Sequence, residues 1–263
     1  MSRSPHLLVA AVLSAAASFV ARPVAALSVA ALPVAARAAE PAEVAAPQLH
    51  EGDSWVFDRT LERGTTGFMR GRKDVRIESI DADGMVVGVK PDGAPVNFQD
   101  HLEGTDWSKR RNVDGKEVVI GRPFAFPLSI GKSWTADYDD SAPRGNQLSA
   151  RFHAAYRVAG WADVTTPAGV FHALKIEVVT NVEAHMAAST STAVAGSAGA
   201  ADAATAAQVT RLPDRMVHET WREQLFYVPE LKYYAKFVSE RYNADEVRIL
   251  RDTELLAAYK VQP

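Results

Sequence analysis

The sequence predicts a mainly β protein, a curved antiparallel sheet or half-barrel with little helix. Either two related β-rich halves or one long sheet laid down in two passes would satisfy the pattern. Three observations carry this. Apolar residues recur with period two rather than 3.6. Turn sequences rich in Gly, Pro and Asp separate the alternating runs. And Gly52-Asp53-Ser54-Trp55 is matched by Gly131-Lys132-Ser133-Trp134, each opening a run of strands with a permissive glycine and a large aromatic anchor.

The elements follow in order. Val75 and Ile77 alternate with Asp74, Arg76 and Glu78 up to Ile80. Asp81-Ala82-Asp83-Gly84 is a turn, and Met85 to Val89 is the returning strand. Pro91-Asp92-Gly93 and Asp114-Gly115 are further turns, the second leading into Glu117 to Ile120. Phe152, Ala154, Tyr156 and Val158 share one strand face, with Arg151, His153 and Arg157 on the other. Pro167-Ala168-Gly169 turns the chain into Leu174, Ile176 and Val178. Strands near His218 to Tyr227 and Lys232 to Tyr242 flank Val228 to Leu231. Arg248 to Tyr259 fits a short helix or a final strand, and the strand is the better fit. The halves divide at residues 49–126 and 127–263.

The two ends of this pattern differ in composition. Residues 1–38 carry Arg3, Arg22 and Arg37 but no acid, and an apolar run from Leu7 to Ala21 precedes Ala36-Arg37-Ala38. This is the pattern of a secretory signal peptide cleaved near Ala38, with an earlier site after Ala26 as the alternative. An uncleaved anchor would need about 20 consecutive apolar residues, and the run before Arg22 is shorter. A transit peptide is a further alternative, since the segment is acid-free and contains several Ser. Residues 39–48, rich in Ala, Pro and Glu, read as a linker. The expected location is periplasmic or secreted, with no membrane span in the mature chain.

Of 263 residues, 47% are hydrophobic and 23% charged, and the net charge is -3. Losing the leader would remove three of 29 basic residues and leave 32 acids, a net charge of -6. Such a chain lacks the basic face of a nucleic-acid binder. Cys is absent from the sequence, which excludes disulfides, thiolate metal sites and a cysteine nucleophile. Residues 187–208 hold no large apolar residue and read as a disordered, solvent-exposed loop between hairpin arms.

Catalytic and metal motifs fail their context tests. Ser54 in Gly52-Asp53-Ser54 resembles the nucleophile block of GDSL-type esterases, but a polar linker precedes it and a strand follows. Asp214 and His218 have one residue too many between them for the late pair of those enzymes. His153 and His172 lie on strands and could pair across a sheet, with exposed histidines as the plain reading. No histidine spacing suits a metal. Asp137, Asp139 and Asp140 read as an acidic loop without the regular oxygens of a calcium site. No cofactor is expected.

The aromatics are the remaining signal. Trp134, Trp161, Trp221, Tyr227 and Phe237 could line a groove for an apolar ligand, or simply fill a sheet core. Tyr233 and Tyr234, adjacent on one strand, should face opposite sides. Val164 to Glu177 resembles the V-P-A-G-x-F-x-A-x-K-I-E stretch of uncharacterised exported bacterial β-proteins. Gly131 to Trp134 matches their upstream strand start. Glu219-Thr220-Trp221, Tyr227-Val228-Pro229-Glu230 and Lys232-Tyr233 match their later stretch. Thr166 stands where the pattern has valine. In fold such proteins resemble periplasmic lipoprotein carriers of the LolA and LolB kind, which implies a groove for a lipid or other apolar ligand. The expected function is therefore a non-catalytic exported protein that binds or carries an apolar or amphiphilic envelope molecule. A structural module that binds another envelope protein is the alternative, and a hydrolase the remote one.

Overall fold

The computed structural model describes residues 40–64, 67–91, 97–113, 116–140, 146–194 and 207–263. The leader with its cleavage signals, Asp92-Gly93, Asp114-Gly115 and the centre of the low-complexity insert lie outside the described residues. The strands are β1 (Ser54–Arg63), β2 (Gly67–Ile80), β3 (Met85–Pro91), β4 (Gln99–Glu103), β5 (Lys109–Val113), β6 (Lys116–Gly121), β7 (Ser133–Asp140), β8 (Gln147–Thr166), β9 (Gly169–Met186), β10 (Ser189–Val194), β11 (Ala207–Leu212), β12 (Arg215–Val228), β13 (Tyr233–Asn243) and β14 (Arg248–Lys260). Among the described residues the only helical element is a 3-10 turn at Pro229–Leu231.

Twelve strands form one antiparallel sheet in the order β6-β5-β4-β3-β2-β1-β14-β13-β12-β9-β8-β7. The chain runs outward from β1 to β6, restarts at the opposite edge with β7, and returns to pair β14 with β1. Each Gly-x-Ser-Trp therefore opens a six-stranded meander. The local backbone repeats as well. Gly52 and Gly131 both sit at φ +85, a left-handed value that favours glycine. The Gly52 amide donates to the Ile77 carbonyl and the Ile77 amide donates back to Asp53. Gly131, Val158 and Lys132 make the same exchange.

The sheet curls until its edge strands β6 and β7 come close without joining in the hydrogen-bonded ladder. One end of the resulting barrel is filled. Trp55, Trp107, Phe124, Leu128, Leu231 and Tyr227 are almost wholly buried there. The Trp55 indole N–H donates to the Leu231 carbonyl at 2.9 Å, and that of Trp107 to the Lys232 carbonyl at 2.9 Å. Lys232, left-handed at φ 59, sends its ammonium to the Gln262 carbonyl at 2.6 Å and to Asp53 at 3.4 Å. Asp53 also accepts from the amides of His50 and Gln262. The Gly-Asp-Ser motif thus spends its carboxylate on tying the two ends of the described chain together.

Several sequence expectations are corrected. Val44, in the supposed linker, exchanges backbone hydrogen bonds with Leu128 and is buried in the core. A single valine among Ala, Pro and Glu is enough to dock it. The insert does not begin and end as a loop, because β10 pairs with β11 in a two-stranded sheet of its own. Thr-rich β-forming residues at its rims outweigh the missing apolar ones. Asp137, Asp139 and Asp140 lie on β7 rather than in a loop. Tyr233 and Tyr234 do not diverge. Their rings are 4.3 Å apart, because left-handed Lys232 and a register shift between Phe226 and Tyr227 break the strict alternation. His153 and His172 do not pair. His153 bonds Asp137 at 2.6 Å, and His172 bonds Asp163 at 2.8 Å. The Val164–Glu177 segment is the β8–β9 hairpin, in which Ala173, Leu174 and Ile176 re-enter the core.

Candidate functional site: an amphiphilic barrel interior

Pairing register sorts the inward side chains into rows. One row runs Val158, Ile176, Leu225, Phe237, Glu254, Arg59 and Gly71 across β8, β9, β12, β13, β14, β1 and β2. The next runs Tyr156, Val178, Glu223, Ser239, Asp252, Leu61 and Met69. A third runs Ala154, Thr180, Trp221, Arg241 and Leu250. In the first row the apolar residues lie on the β8–β9–β12 side and the ions on the β14–β1 side. The interior is amphiphilic by construction.

The apolar side holds a cavity of about 420 Å³. Phe152, Ala154 and Tyr156 of β8, Trp221 and Leu225 of β12, and Phe237 of β13 form its walls. Lys109 and Arg111 of β5, Ile120 of β6, and Ala136, Tyr138 and Asp140 of β7 complete it from both sides of the seam. Arg111 bridges that seam, pairing with Asp140 at 2.9 Å and donating to the Tyr138 hydroxyl at 2.5 Å. Below Arg111, the Trp134 indole N–H donates to the Arg122 carbonyl at 2.9 Å.

Of the five aromatics singled out from the sequence, Trp221 and Phe237 line this cavity. Trp134 stands behind it, stacked on Tyr156 at 5.1 Å. Tyr227 belongs to the filled end, against Phe124 at 4.9 Å. Trp161 stacks on His172 at 4.9 Å, away from the cavity lining. Sequence reasoning missed Tyr138, Phe152, Tyr156 and Leu225. The β8 alternation carried Phe152 and Tyr156 on one face, so the signal was present there.

The polar side is a bonded network. Arg59 grips Asp252 with two nitrogens, at 2.9 and 2.5 Å. Lys73 pairs directly with Glu254, and the Tyr234 hydroxyl donates to the same carboxylate at 2.6 Å. Burial pushes the Lys73 ammonium down from its ordinary value, against the opposing pull of Glu254. A second cavity, of about 240 Å³, lies beside Lys73, His101, Glu103, Lys109 and Tyr233. Burial raises the Glu103 carboxyl to about 7, although Lys109 and Lys73 pull it down. Burial likewise raises Glu223, against a hydrogen bond from Ser239 and the charges of Lys109 and Arg241.

Glu103 makes a testable pH dependence. The folded protein keeps this proton up to about pH 7, while the unfolded chain releases it near 4.5. Stability therefore falls as pH rises through that window, by on the order of 3 kcal/mol. Glu103→Gln should remove this fall. Urea denaturation of both proteins across the window checks it, and parallel curves would overturn it.

Among the described residues, no group of three or more His, Asp or Glu is placed to hold a metal ion, and no helix is long and apolar enough to cross a membrane.

No family model matches the chain, and no curated protein matches it. Two solved structures show a partial likeness. One is a "putative lipoprotein" from Parabacteroides distasonis, 12% identical, with a TM-score of 0.43. The other is a "putative exported protein with YmcC-like fold" from Bacteroides fragilis, 14% identical, with a TM-score of 0.37. Each match covers 82% of this chain and 99% of the other. Likenesses this distant carry no argument about function.

Proposed function

We propose that this chain is an exported, non-catalytic β protein that holds an apolar or amphiphilic molecule of the cell envelope inside its barrel. The observation that carries the reading is the aromatic-walled cavity of about 420 Å³. Its size falls within the range of small-molecule pockets, roughly 300–1,000 Å³. The acid-free leader supports export. The structural use of Asp53 supports a non-catalytic reading of the Gly-Asp-Ser segment, since its carboxylate is fully buried among backbone donors and Lys232.

Native mass spectrometry of the protein purified from the producing cell tests this. An adduct that survives gentle ionisation and extracts into organic solvent is the expected result. Leu225→Trp, which fills the cavity, should abolish the adduct. Bare wild-type protein that also takes up no apolar fluorescent probe would sink the proposal.

A second reading has its own support. Among the described residues, β10 and β11 pair with each other and with no strand of the main sheet. An arm of this kind suits contact with another envelope protein. Deleting residues 189–212 separates the readings, since a carrier keeps its adduct and an interaction module loses its crosslinked complex.

A further inference from the structure

The two interior cavities share Lys109 and Ile120. The cations around them are paired, with one exception. Arg111 is paired with Asp140, and Arg110 with Glu117 at 3.1 Å. Lys73 and Glu254 sum to zero wherever their shared proton rests. Burial and then Lys109 push His101 down from its ordinary value, against the pull of Asp100, and so favour its neutral form. Glu223 is raised by burial and Glu103 is raised to about 7, which holds both toward the uncharged form. Lys109 is the one cation among the described lining residues with no hydrogen bond or ion pair. Its residue is exposed, so this shared lining position is open to water.

We propose that the ligand is a single-chain amphiphile with one negative charge. Its carboxylate-type head pairs with Lys109 at the junction of the two cavities, and its chain lies along Ile120, Tyr156, Trp221 and Leu225. This rests on the cavity-binding reading above and adds the charge and the orientation. A cationic head would be repelled by Lys109 and would find beside it only Glu103 and Glu223, which burial holds toward the uncharged form. A neutral head would leave the ammonium as solvated as before and gain nothing from it.

The test uses three probes of equal chain length: dodecanoate, dodecylammonium and dodecanol. Each is titrated calorimetrically into the purified full chain at neutral pH, below its aggregation threshold. Dodecanoate should bind about fivefold to tenfold more tightly than dodecanol, with dodecylammonium the weakest. Lys109→Met should erase the preference, Lys109→Glu should reverse the order of the two ions, and Lys109→Arg should keep the wild-type order. Equal affinities for all three probes in the wild type would overturn the charge inference while leaving cavity binding intact. A preference that survives Lys109→Met would do the same. Failure of all three to bind would overturn both.

Discussion

Trp55→Ala is expected to destabilise the protein by about 4 kcal/mol, in the range of full truncations of a large buried aromatic. Trp55 is wholly buried. Its ring meets Trp107 edge-on at 5.4 Å and Tyr233 at 5.2 Å, and its N–H satisfies the Leu231 carbonyl. Truncation leaves a cavity and orphans that carbonyl at once. Because native proteins rest on only about 5–15 kcal/mol, this is a large share of the whole. Chemical denaturation with an unchanged slope is the measurement. A loss below about 1.5 kcal/mol would show that the aromatic end collapses around the gap.

The sister residue sharpens the expectation. Trp134 follows the same Gly-x-Ser with the same glycine geometry, six strand-starts later in β7. It lies on an edge strand, half-buried, with one stacking partner. Trp134→Ala should cost less than half as much. Equal losses would mean that the shared motif, rather than its burial, sets the energy.

The contrast between these two tryptophans also marks where sequence reading stops. Period-two alternation is a local property, so β2, β8 and β9 were legible from their own residues, while β14 also fitted a short helix. The order of strands was not, because pairing β14 with β1 joins residues almost 200 positions apart. Whether a tryptophan lies in the middle of the sheet or on its edge follows from that order alone. Tyr233 and Tyr234 show a second limit, since one left-handed residue at Lys232 resets which face each side chain takes. The site was the least legible part. Lys73, Glu223 and Glu254 occupy inward positions, yet a charge in an alternating strand reads as outward. The interior ions could be found only once register had placed Phe237 opposite Glu254 and Ser239 opposite Glu223.

Those interior ions carry the second large expectation. Glu254→Leu should cost about 3–4 kcal/mol, since it leaves the Lys73 ammonium only the Tyr234 hydroxyl at 2.8 Å and takes away that hydroxyl's own acceptor. Lys73→Met should cost less, since the carboxylate keeps the Tyr234 hydroxyl as a donor and Arg59 at 3.9 Å. The double variant should recover most of the loss, because two apolar chains of comparable volume replace a pair whose mutual attraction is largely offset by desolvation. A pH signature distinguishes this from simple loss of packing. In Glu254→Leu nothing opposes the burial that already pushes Lys73 down. The folded state then binds fewer protons than the unfolded one, and stability rises with pH until the unfolded lysine itself deprotonates near 10.5. Lys73→Met should lack that rise. If the double variant matches the sum of the singles, the pair is not coupled and the network is incidental. If it recovers stability, the ions are not there to hold the barrel together, since leucine and methionine do so as well. Their place beside the cavities then agrees with the proposed ligand, a molecule with both an apolar and a polar end.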